Sequence, residues 1–146
     1  MKKKLLIVAM LVVVIMTAVL LAGCSGDKMQ LGFMESADGT PEYVKVNIKD
    51  YEGKTLADLL ANEKSLGAKL EDSAYGPLVT EIKGMKQDKA NNIYIMIYTN
   101  LQEFKDEWSV TKEIDGVTFH TASVGISQLP VNKDAKYIFV LEKSQY

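Results

Sequence analysis

Apolar and polar positions divide the chain into two unequal parts. From Leu5 to Leu21 nearly every residue is apolar, with Thr17 the one interruption. After residue 24 the apolar positions become periodic. Tyr43 to Lys49 alternates strictly, which predicts a strand with Val44, Val46 and Ile48 facing a core. Tyr51 to Lys54 turns the chain, and Thr55 can cap a helix through its hydroxyl. Leu56, Leu59 and Leu60 then share one helical face, ending near Asn62. Leu66, Ala68 and Leu70 alternate as a short strand. Tyr75 to Lys83 reads as another, opened by Gly76-Pro77 and closed by Gly84, with a polar loop over Lys86 to Asn92. Ile93 to Tyr98 is apolar on both faces, the mark of a central, covered strand. Segments Trp108 to Ile114 and Val117 to Ala122 flank Asp115-Gly116, a strong hairpin signal. Val124 to Val131 is irregular, and Tyr137 to Leu141 is a last strand. Met29 to Met34 reads either as a first irregular strand or as tether. Six or seven strands and one early helix make an α+β domain with one helix on a mixed sheet.

The first part of the chain has a different use. Lys2, Lys3 and Lys4 precede the apolar run, and small residues Ala22 and Gly23 follow it, as in a secretory signal. Leu21-Ala22-Gly23-Cys24 resembles the lipobox of bacterial lipoproteins. The resemblance implies cleavage before Cys24 and a diacylglycerol thioether on its sulfur. Residues 1–23 are then signal peptide, 24–41 the lipidated Cys and its tether, and 42–146 the folded domain. Cys24 is the only cysteine, so the chain has no intramolecular disulfide. The implied place is the extracytoplasmic face of a cell membrane, with the bilayer as the first partner and a Gram-positive surface as the setting.

Charge narrows the partners. Three of the 17 basic residues belong to the signal, which leaves 14 against 19 acids, a net charge of −5. Every basic residue is Lys, and none falls in a basic run, so nucleic acid is not an expected partner.

Three segments in order carry a further resemblance: Lys54-Thr55-Leu56-Ala57-Asp58-Leu59-Leu60, Tyr75-Gly76-Pro77-Leu78-Val79-Thr80-Glu81-Ile82-Lys83-Gly84, and Tyr94-Ile95-Met96-Ile97-Tyr98-Thr99-Asn100. Together they resemble the DUF4430 family, the transcobalamin-like C-terminal domain, over roughly Tyr43 to Glu142. The resemblance implies a β-grasp-like mixed sheet and admits cobalamin or a related corrinoid as a bound ligand. Ile95 stands where the family usually has Trp, Leu101 follows Asn100 in place of Gly, and Leu101 to Thr121 is longer than usual.

Five residues are the candidate ligand-binding set: Tyr94, Met96, Tyr98, Asn100 and Trp108. A single helix covers one face of a sheet, so Tyr94, Met96 and Tyr98 are offered on the other, unless the Leu101–Thr121 segment folds back over them. Trp108 either stacks on a flat ligand or, as the favoured reading, anchors its loop to the core. His120, the only His, falls on a mildly polar face and is expected in solvent. Glu103, Asp106 and Glu107 lack the spacing of a calcium loop and read as a solvated face.

No metal site or cofactor is expected. Catalysis has little support, with no thiol nucleophile after lipidation, one His, and no G-x-S-x-G, P-loop or H-E-x-x-H motif. The expected function is a ligand-binding module serving uptake through an importer. A protein-interaction or structural module at the surface is the alternative.

Overall fold

The computed structural model describes residues 26–144. The signal peptide and Cys24 lie outside the described residues. The fold is α+β, with one main helix and two sheets where the sequence suggested one. Strands β1 (Lys28–Met34), β2 (Glu42–Asn47), β6 (Ile93–Thr99), β7 (Thr111–Ile114), β8 (Val117–Thr121) and β9 (Tyr137–Lys143) form the large sheet, in the order β2-β1-β9-β6-β8-β7. Strands β3 (Lys69–Glu71), β4 (Leu78–Ile82) and β5 (Met85–Lys86) form a small flanking sheet. Only β1 and β9 pair in parallel, which makes the large sheet mixed.

The stretch expected as tether therefore contains an inner strand. Met29, Leu31 and Phe33 of β1 alternate into the core, and β2 and β9 pair on either side. Gly32 and Met34 interrupt the polar half of that alternation, which left the segment readable as either strand or tether. In-register pairing sets Phe33 beside Phe139, and their rings stack with centroids 5.5 Å apart.

Helix α1 (Leu56–Asn62) is too short to hold itself. Thr55 and Asp58 form a reciprocal capping box. The next two N–H donors go outward: Leu56 donates to Leu129 O at 2.8 Å and Ala57 to Ile126 O at 3.0 Å. The irregular Val124–Val131 segment thus satisfies the helix start. Leu56, Leu59 and Leu60 are then buried in one core cluster with Leu31, Phe139 and the small sheet's Ile82.

The other face of the large sheet is covered too. Asp115 (φ +51°) and Gly116 (φ +75°) form the tight turn that joins β7 to β8, as their order foretold. The β7–β8 hairpin folds across the sheet. Its Ile114 and Phe119 pack on Met34, Tyr98, Ile138 and Val140 as a second core. Two hydrogen bonds fasten it to the far side: Tyr43 Oη donates to Asp115 Oδ2 at 2.7 Å, and Lys112 Nζ to Ala37 O at 2.9 Å. Tyr43 lies on β2, at the opposite end of the strand order from β7. The sheet coils until its two ends meet, as strand twist allows.

Candidate functional site

The proposed sheet-face set is split by this second core. Tyr98 is fully buried, at 1% exposure, and is a core residue instead of a ligand contact. Its hydroxyl donates to both Glu142 oxygens, at 3.0 and 3.1 Å. Lys112 Nζ pairs with Glu142 at 3.0 Å and sits 5.3 Å from the Tyr98 ring centroid. Burial, and then the Glu142 carboxylate, push the Tyr98 hydroxyl well above the usual phenol range. Each group neutralises the next, so the triad closes this face instead of opening it. Met96 remains partly exposed and Tyr94 half-buried, too little for a platform. Asn100 is used structurally: its amide donates to Asp134 O at 3.1 Å and accepts from Lys136 N at 2.8 Å, which ties the end of β6 to the entry of β9.

Two single residues stand opposite to expectation. His120 is buried, at 1% exposure, not in solvent. Its Nε2 lies 3.0 Å from Leu101 O and its Nδ1 3.2 Å from Thr121 O. The first of these contacts holds the start of the Leu101–Val110 loop against a ring that alternation had left outside. Trp108 is 80% exposed and does not reach the core. Asp106 explains this. Its carboxylate accepts from Trp108 N at 3.0 Å and Ser109 Oγ at 2.9 Å, a tight turn that directs the indole outward. Glu103, Asp106 and Glu107 are exposed, as expected.

A surface that the sequence did not mark emerges beside Trp108. Six large apolar side chains are exposed among the described residues, and four lie in two short segments: Tyr75 and, at the start of β4, Leu78, with Trp108 and Val110 in the loop before β7. The segment from Thr121 to Ser127 touches both loops. Thr121 N donates to Val110 O and Ser123 N to Phe104 O, both at 2.9 Å. On its other side, Gly125 lies against Tyr75 O and Ser127 against Gly76. Tyr75 is 90% exposed at the tip of a turn. Ser73 and Gly76 exchange backbone hydrogen bonds at 3.1 Å, and Ser73 Oγ donates to Gly76 O at 2.6 Å. A side chain at the tip of such a turn has nothing to pack on, and that was the available signal. The flank thus offers two large aromatic rings on hydrogen-bonded turns, bordered by hydroxyls and carboxylates. Such a surface suits a flat or ring-bearing ligand, because its rings are apolar and their tips polar. Among the described residues no group of three or more His, Cys, Asp or Glu side chains converges as metal ligands would.

No family model matches the chain, and no curated protein does. Among solved structures the chain resembles a suspected metal-binding protein from Ruminococcus gnavus ATCC 29149, with a TM-score of 0.57 at 14% identity, over 81% of this chain and 98% of that one. Haptocorrin in complex with Cbi aligns with a TM-score of 0.45 at 12% identity, over 79% of this chain and 25% of that one. At such identities the first likeness shows a shared fold alone.

Proposed function

We propose that the chain is a binding module held at the outer face of a bacterial membrane by lipidated Cys24, taking a flat, partly apolar ligand on the Tyr75–Trp108 flank. The observation that carries this reading is the exposure of both rings on turns tied to one segment, Thr121–Ser127. Ordered turns keep the rings in place before binding, which lowers the entropy lost on capture. The resemblance to the transcobalamin-like family makes a corrinoid or another tetrapyrrole the first ligand to try, delivered onward to an importer. The module is not an enzyme in this reading and needs no cofactor. Its net charge of −5 disfavours nucleic acid. No helix among the described residues is long and apolar enough to cross a membrane.

Titration with cobalamin, cobinamide and haem, following Trp108 fluorescence and the ligand's visible spectrum, tests the ligand. Binding below about millimolar, or ~4 kcal/mol, is expected from at least one of them. Trp108→Ala and Tyr75→Ala should each weaken it by about tenfold. Absence of binding by all three removes the tetrapyrrole, and the flank is then a protein-docking surface, which Leu78 and Val110 favour. Palmitate labelling in cells tests the anchor: incorporation should vanish in Cys24→Ser, and labelling that persists there refutes it.

A further inference from the structure

His120 carries the only imidazole in the chain, and it is buried with both ring nitrogens against acceptors. Nε2 lies 3.0 Å from Leu101 O and Nδ1 3.2 Å from Thr121 O. A carbonyl oxygen accepts and never donates. Neutral imidazole has one N–H, so it satisfies one of these oxygens and turns a lone pair on the other. Imidazolium has two N–H groups and satisfies both. A buried cation needs such pairing, and here the backbone supplies it.

Other ties on the Leu101–Val110 loop are indifferent to a proton on the ring. Leu101 N donates to Thr99 Oγ1 at 3.2 Å, Ser123 N to Phe104 O at 2.9 Å, and Val110 N to Thr121 Oγ1 at 2.9 Å. His120 adds a tie at Leu101 O that depends on its protonation. The neighbouring charges favour the cation. In the pairing register His120 stands beside Thr99 of β6 and Thr111 of β7, neither of which titrates. Glu113 of β7 shares that face, two residues on, whereas Lys112 points to the other face and pairs with Glu142. Tyr137 of β9 lies across Thr99, with its hydroxyl on Pro130 O, and feels the charge of the loop's Glu103. Lys105, Asp106 and Glu107 of the loop are exposed to water, and residues 122–124 carry no charge.

We infer that His120 is a proton-operated clasp: as imidazolium it holds the Leu101–Val110 loop, and with it Trp108, and on losing a proton it loosens the start of that loop. The hold is full in acid and fades as pH rises, because the lost proton leaves a lone pair against a carbonyl oxygen. The clasp acts on the loop itself, so it operates whichever partner the Tyr75–Trp108 flank takes.

The test uses the full chain in detergent, with nitrogen-15 histidine, and its main arm needs no variant. At about pH 5.5 both ring nitrogens of His120 should carry protons, and one should lose its proton as pH rises to about 8. Over the same step the fluorescence anisotropy of Trp108, the only Trp, should fall. Protection factors of the Leu101 and Ser123 amides should drop by about tenfold with the same midpoint. His120→Gln should remove the step from both readouts, with native circular dichroism as the check on folding; the coincidence of the steps in wild type decides without it. One unprotonated ring nitrogen at about pH 5.5, loop protection that stays constant while His120 titrates, or a step that survives in folded His120→Gln would each overturn the clasp.

Discussion

Tyr43 shows how much one side chain decides. It lies over Gly32, where an added Cβ would come within 3.1 Å of the Tyr43 ring and of Ile138. The missing side chain lets the ring cross β1 and reach Asp115. Partial burial, and then the hydrogen bond and charge of Asp115, push its hydroxyl from 10.0 up to about 12. The sign follows directly. Below the unfolded value near 10 the hydroxyl is protonated in both states, and the latch contributes fully. The contribution fades as pH rises through about 12, because the unfolded chain ionises first. Wild type should therefore lose stability relative to Tyr43→Phe between those values in denaturant titrations. Tyrosinate absorbance should show one fewer late-titrating group in the variant. A Tyr43 that ionises near its ordinary value would mean the latch is open in solution.

Helix α1 depends on its ends more than on its length. Seven residues propagate weakly, so the cap and the Leu129 and Ile126 carbonyls decide whether it forms. Thr55→Ala should cost about 1 kcal/mol in chemical denaturation. Asp58 reports on the same cap. Hydrogen bonds from the Thr55 backbone N–H, and then from its hydroxyl, hold the Asp58 carboxyl below the usual range. The stability they bring is present above the ordinary carboxyl value and is lost as pH falls below it through the folded value. Thr55→Ala should flatten that acid-side slope; an unchanged slope would remove the capping box from the account. The helix and its cap were legible because both are local: a hydroxyl, a carboxylate three residues on, and leucines at one-turn spacing. The hairpin turn was legible for the same reason, since Asp-Gly suits the positive φ angles of such a turn.

At the scale of the whole molecule the large sheet ties the two ends of the described residues together. β1 opens the domain, β9 closes it, and they pair side by side as inner strands. Hydrogen exchange should be slowest in β1, β9 and β6 and fastest in the two exposed turns, residues 73–76 and 104–109. Deleting residues 28–34 removes an inner strand and half of the Phe33–Phe139 stack, so cooperative unfolding should disappear. A domain that stays folded without them would show that β1 is an accessory.

The chain's sequence determined most of its strands, its helix with the Thr55 cap, and its tightest hairpin, because period and turn chemistry act over a few residues. It also supplied Trp108 as a candidate, though for the wrong place. Tertiary structure decided which faces are covered. Tyr98 and His120 are buried, and Trp108 is exposed, according to where the Leu101–Thr121 segment lies, and contacts such as Tyr43 with Asp115 join residues 72 positions apart. Alternation says that a side chain leaves the sheet on one face or the other. Whether water or a distant hairpin waits there depends on the coiling of the sheet, a sum of small twists over six strands that no local pattern encodes.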